Sequence, residues 1–255
     1  MLKKRIIPVQ LLFEGRLVKT TRFGEYRDVG DPVKSSAVYN SQQADELVFL
    51  NIDRDKRSVK PLKQILEKVS EECFMPLAVG GGISSIEDAS FLIQNGADKI
   101  VLNSAIYERR SLISDVAAKF GTQACVVGID AAWNQQLRRY VPYSNCGRTR
   151  HDNLDLQELV RDCERGGAGE IFIQSIDRDG TMAGYDLELI RRVMEATVVP
   201  VIAGGGSGNY EHLRQAFLDT GVSALACGSI FNFSDSNPMR AKSFLSNYGL
   251  HFKKV

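Results

Sequence analysis

Two glycine-rich runs and a few small polar residues carry most of the chemistry that can be read directly from this chain. Gly80-Gly-Gly-Ile-Ser-Ser and Gly204-Gly-Gly-Ser-Gly each follow a short apolar run. Glycine lets a backbone approach an anion closely and present several N–H groups to it, although it serves equally in tight turns. Cys227-Gly-Ser229 ends a further apolar run. Gly205, Gly206, Gly228 and Ser229 therefore form one expected phosphate grip, and Gly81, Gly82, Asn103 and Ser104 a second. Two grips on opposite sides of one mouth imply an elongated bisphosphate ligand. Asp130 ends another apolar run, where a carboxylate can do acid–base work or cap the segment that follows. Asp179-Gly180 is placed similarly; its carboxylate could orient a ligand hydroxyl or a phosphate-bound amide, or build a turn.

The elements that must hold these residues alternate along the whole chain. Arg5–Val9, Glu46–Asn51, Pro76–Val79, Lys99–Leu102, Ala124–Ile129, Glu170–Gln174, Pro200–Ala203 and Ser223–Ala226 read as strands buried on both faces. Helical stretches lie between them. Asp31-Pro32 and Asp186-Leu-Glu are good helix starts, and Ser84–Glu87 reads as a capping box before a helix that stops at Asn95-Gly96. An internal repeat strengthens the pattern. Asn51-Ile-Asp-Arg-Asp55 matches Ser175-Ile-Asp-Arg-Asp179, and Gly80-Gly-Gly82 matches Gly204-Gly-Gly206, both at an offset of 124 residues. Two four-stranded halves in 255 residues predict a single (β/α)8 barrel domain over residues 1–255, with one phosphate site in the loops after strands 7 and 8 and, by the repeat, the other after strands 3 and 4. A doubly wound open sheet does not explain the repeat.

Composition limits the partners. The net charge of +1 gives no bulk attraction for nucleic acid or an acidic membrane, so an anion must be held by a local site. The five cysteines are scattered without a CxxC, as expected of free thiols in the cytoplasm. The three histidines show no ligand spacing, and neither a metal nor a cofactor is expected.

Several stretches resemble the HisF-type cyclase subunit of imidazole glycerol phosphate synthase. They are Lys-Arg-Ile-Ile at 4–7, Gly-Arg-Leu-Val-Lys at 15–19, Gly30-Asp-Pro32, Asp45-Glu-Leu-Val-Phe-Leu50, Gly80-Gly-Gly-Ile83, Gly-Ala-Asp-Lys at 96–99, Ala168-Gly-Glu-Ile171 and Ser175-Ile-Asp-Arg-Asp-Gly-Thr181. The resemblance spans nearly the whole chain and is weaker to the sister isomerase of histidine synthesis. It implies an enzyme that receives ammonia from a partner glutaminase and adds it to a bisphosphate substrate at the barrel top. On that basis Asp130 is a catalytic carboxylate and Lys19 lies on a mobile first loop that closes over substrate. Arg5, Glu46, Lys99 and Glu170 are the charged ring through which ammonia enters, while Asp45 and Asp98 lie at the glutaminase face. Two acids and two bases at strand starts could also simply neutralise one another on a solvated bottom face.

One departure qualifies the activity. The family's second catalytic aspartate falls at Leu11, which has no proton to exchange, and losing a positioned acid or base costs about 10²–10⁴-fold. Gln10 cannot titrate and should face away from residue 11, while Glu14 lies on the loop. Gln174 stands where the family usually has a small hydroxyl residue. Loss of a catalytic carboxylate with retention of the ring resembles diverged paralogues in surface-polysaccharide pathways, where the barrel passes ammonia to an amidotransferase making an acetamidino sugar. The alternatives are a true cyclase of histidine synthesis, or another sugar-phosphate isomerase or lyase.

Overall fold

The computed structural model describes residues 3–53 and 58–253. Twelve strands are present among them: β1 Arg5–Phe13, β2 Arg16–Thr20, β3 Tyr26–Gly30, β4 Leu47–Asn51, β5 Leu77–Gly80, β6 Lys99–Leu102, β7 Cys125–Asn134, β8 Arg139–Ser144, β9 Thr149–Arg150, β10 Glu170–Ser175, β11 Val201–Gly204 and β12 Ala224–Cys227. Eight of them run parallel in the order β1, β4, β5, β6, β7, β10, β11, β12, and β12 pairs back onto β1, closing a (β/α)8 barrel. Each of the eight expected strands lies in this ring.

Alternation along each strand divides the side chains between two cores. On β1, Ile7 and Val9 enter an inner cluster with Val48, Ala78, Val101, Val126, Phe172 and Ile202, while Ile6 and Leu12 join the outer cluster under the helices. Gln10 faces outward with the second set, 1% exposed, and donates to Ser36 Oγ at 3.3 Å. Leu11 faces inward and packs against the inner cluster.

The helix signals act locally. Asp31 caps helix Pro32–Ser41 through the Lys34 N–H, with Pro32 in the first turn, and Asp186 caps Leu187–Ala196 through the Leu189 N–H. The capping box ahead of Ile86–Gln94 is one residue later than expected. Ser85 accepts from the Asp88 N–H and Asp88 accepts from the Ser85 N–H, so the pair is Ser85–Asp88 rather than Ser84–Glu87. Aspartate completes the box because its shorter carboxylate still reaches the cap backbone.

Two antiparallel excursions rise from the mouth. β1 runs four residues beyond Val9, turns at Glu14-Gly15 and returns as β2, which pairs with β3. β7 runs past Asp130 to Asn134 and pairs with β8, which pairs with β9. Neither Leu11 nor Asp130 therefore ends its strand; each sits where a barrel strand becomes a hairpin arm.

Candidate functional site

The half-barrel repeat is present in the geometry as well as in the letters. Gly81 and Gly205 have φ of 96° and 91°, a region that L side chains rarely adopt. A Cβ on Gly81 would stand 2.0 Å from the Asn51 carbonyl oxygen, and one on Gly205 would stand 2.6 Å from that of Ser175. These are equivalent contacts at the same 124-residue offset, so both glycines are required by close backbone approach. The motif residues Arg54 and Asp55 lie outside the described residues.

The strand ends surround two connected hollows. The larger, about 380 Å³, is lined by Gly81, Gly82, Asn103, Ser104 and Asp130. The smaller, about 30 Å³, is lined by Lys19, Asp179, Gly180, Gly205, Gly206, Gly228 and Ser229. Leu11, Thr20 and Gln174 border both. The residues expected in the two grips thus line separate hollows, or lobes, that share a border, each with glycine backbone and a serine hydroxyl.

Asp130 lies in the larger lobe and accepts from Asn103 Nδ2 at 3.0 Å. Burial pushes its carboxyl up to about 7; the Asn103 bond opposes this and the charge of Asp179 adds to it. Such a group exchanges a proton near neutrality, which suits a general acid or base. Tyr107 is raised by burial, with the charge of Asp130 adding to it.

Lys19 is not on a loop. It sits on β2, 6% exposed, and its ammonium donates to the Val9 carbonyl at 2.5 Å. Burial pulls it down to about 8, with Asp179 opposing the shift. The Glu14-Gly15 turn and the β1–β2 pairing fix this segment, which the resemblance makes a mobile loop. Asp179 fastens the same hairpin. It accepts from Thr20 Oγ1 at 2.7 Å, the Phe23 N–H at 3.3 Å and Gln174 Nε2 at 3.3 Å, and burial raises its pKa. These bonds build no local turn: they tie the first hairpin to the end of β10.

Leu11 contributes only methyl groups to the mouth, and Glu14 is exposed in the distant turn, outside both lobes. The hairpins add Thr20, Phe23, Asn145 and Arg148 to the lining of the larger lobe. Asn145 donates its backbone N–H to Ser104 Oγ at 2.9 Å, which ties the β8–β9 turn to one grip. The alternating Arg16–Thr20 stretch after Glu14-Gly15 is the sequence signal for the first hairpin.

At the opposite end, four side chains form a closed cycle. Arg5 contacts Glu46 and Glu170 at 2.9 Å each, while Lys99 contacts Glu46 at 2.7 Å and Glu170 at 3.1 Å. Every charge touches two of opposite sign. Glu46 is 2% exposed, and burial raises its pKa despite Lys99 and Arg5. The flanking acids differ from each other. Asp45 is enclosed, accepting from the Ile6 N–H at 2.8 Å and from Lys242 at 3.0 Å, whereas Asp98 is exposed and accepts from the Leu77 N–H. Among the described residues no helix is long and apolar enough to cross a membrane, and no cluster of His, Cys, Asp or Glu is arranged to hold a metal.

A closed (β/α)8 barrel with glycine-rich strand ends repeated between its halves and a buried carboxyl, Asp130, on β7 at its mouth defines a class of barrel whose site lies at the C-terminal strand ends. Comparison with known proteins narrows the class: the family model described as histidine biosynthesis protein matches residues 5–237. The chain belongs to that family. It is 39% identical over 250 residues, 98% of each chain, to the imidazole glycerol phosphate synthase subunit HisF of Staphylococcus carnosus (strain TM300), which makes it a HisF-type member.

Proposed function

We propose that this HisF-type chain is the ammonia-handling subunit of a glutamine amidotransferase complex. A HisH-type glutaminase docks on the bottom face around Asp98. Ammonia passes the Arg5–Glu46–Lys99–Glu170 cycle, crosses the apolar interior and emerges at the mouth. The acceptor is a separate amidotransferase building an acetamidino sugar of lipopolysaccharide or another surface glycan. The observation that carries this reading is Leu11, an apolar side chain in the mouth that already holds Asp130. Cyclisation shares its proton traffic between an acid and a base, and here one partner has no proton to move. The intact charged cycle supports a retained passage, since anything entering the interior from below must open at least a single ion pair.

The cyclase reading is favoured by the 39% identity to the HisF subunit of Staphylococcus carnosus and by the Asp130 carboxyl, which burial pushes up to about 7. In it the two lobes take the phosphates of the bisphosphate substrate and Asp130 works without a second carboxylate.

The test supplies the purified chain with ammonium salt and the bisphosphate cyclase substrate. No turnover is expected, and Asp130→Asn should not change glutamine-driven ammonia delivery. Substantial turnover that Asp130→Asn abolishes would establish the cyclase instead. Within the glutaminase complex, Arg5→Ala should reduce use of glutamine-derived ammonia more than use of external ammonia. Equal effects on both would rule out passage through the cycle.

A further inference from the structure

Inward positions on β10 are two residues apart. Glu170 joins the charged cycle, Phe172 enters the inner apolar cluster, and Gln174 opens onto the mouth. Gln174 is therefore the first polar side chain that this strand offers above the apolar interior.

Its amide has a determined direction. The Asp179 carboxylate can only accept, so the amide nitrogen must face it, at 3.3 Å, and the carbonyl oxygen points the other way. That oxygen, Oε1, is buried and has no hydrogen-bond partner among the described residues. It lies over Gly204: a Cβ there would be 2.1 Å from Oε1 and 2.9 Å from the Phe172 ring. Glycine at 204 is what gives the amide its place.

The repeat shows that packing does not need a polar group here. One offset earlier stands Leu50, which lies against Gly80 in the same manner, its Cδ2 being 3.0 Å from where a Gly80 Cβ would be. The second half-barrel places a hydrogen-bond acceptor where the first places a methyl group. A buried acceptor without a donor is unfavourable unless something supplies the donor.

We infer that Gln174 Oε1 receives neutral ammonia at the upper end of the barrel interior, an inference that rests on the passage reading above. Ammonia donates one N–H to Oε1 and keeps its lone pair for reaction. An uncharged acceptor holds it without drawing a proton onto it, as a carboxylate would. Gln174 borders both lobes of the mouth, so a nitrogen held on Oε1 stands at their shared edge, where an acceptor molecule would meet it.

The isolated chain carrying glutamine labelled with carbon-13 at the side-chain carbonyl reports on Oε1 directly, with the Gln174 signal assigned through Gln174→Met. Titration with ammonium chloride above the pKa of ammonium should shift that signal saturably. The same titration well below that pKa, or sodium chloride at the high pH, should leave it in place. No saturable shift at high pH means that water holds the oxygen and overturns the inference, as does an equal shift with sodium chloride. The passage reading fails separately: if Arg5→Ala affects glutamine-derived and external ammonia equally, that reading falls whatever Gln174 does. A ring variant that uncouples, together with an unmoved Gln174 signal, overturns this inference alone.

Discussion

The bottom and the top of the barrel use the same strands and treat charge in opposite ways. At the bottom Arg5, Glu46, Lys99 and Glu170 each touch two opposite charges, and only one oxygen of Glu46 is left over. At the top Asp130 is held up at about 7, Lys19 is held down at about 8, and Gln174 keeps an unpartnered oxygen. A matched cycle is complete as it stands and can only be opened. At the mouth the charged groups are instead bonded to neutral partners, Asp130 to the Asn103 amide and Lys19 to the Val9 carbonyl, and burial shifts both towards their uncharged forms. The proposed reading rests on this contrast: Leu11 stands at the mouth, while the ion-paired end forms a closed cycle.

The contrast can be tested most strongly at residue 11. If the top has lost only one carboxylate, Leu11→Asp should raise ammonium-dependent cyclisation of the bisphosphate substrate by about 10²–10⁴-fold. No gain in a steady-state assay would mean that the mouth has diverged further. At the bottom, Lys99→Ala strips Glu46 and Glu170 of a shared partner in a largely buried cycle and should cost roughly 3–5 kcal/mol in urea unfolding. A loss below about 1 kcal/mol would place the cycle among ordinary surface pairs.

The pH dependence bears on the top alone. The folded protein binds the Asp130 proton more tightly than the unfolded chain does, so stability should fall as pH rises from about 4 to about 7. Asp130→Asn should flatten that slope, worth roughly 4 kcal/mol at most, in unfolding curves across the interval. Lys19 behaves oppositely as a binding group. Its ammonium is lost as pH passes about 8, and affinity for a sugar bisphosphate, measured by calorimetry, should decline there. Lys19→Met should weaken binding about tenfold or more and remove the decline, since a hydrogen bond to a charged group is worth about 1.5–3 kcal/mol. The smallest effect concerns Asp98. Its Ala variant should lose about 1 kcal/mol of stability with the Leu77 bond. A much larger loss of glutaminase affinity would mark a partner contact, and no loss would exclude one.

Particular residues show what is legible in the chain. All eight barrel strands can be placed because runs such as Lys99–Leu102 and Glu170–Gln174 are apolar and β-branched, and the 124-residue repeat locates both glycine grips. The hairpins cannot be placed in this way. Arg16–Thr20 pairs with the adjacent β1 and Arg139–Ser144 with the adjacent β7, and neither is the continuous apolar run that marks a barrel strand. The resemblance leaves Lys19 on a loop, and residue pattern omits Thr20, Asn145 and Arg148 from the lining. It also misplaces the capping box by one residue, because Ser84 and Ser85 offer the same hydroxyl and only the chain's path selects between them.

The barrel, the two glycine grips, the charged strand starts and the missing carboxylate at residue 11 are all legible before any folding is considered. The first three follow from residue type, a two-residue side-chain period and a repeat, which are one-dimensional properties, and the fourth from the family resemblance. Folding in three dimensions was needed to close the four charges into a cycle and to bury Lys19 beside Gly228. It was needed also to lay the Gln174 amide over Gly204 with its oxygen unpartnered. Each of these brings together residues distant in sequence. Their energies depend on distance and burial, and residue spacing along the chain specifies neither.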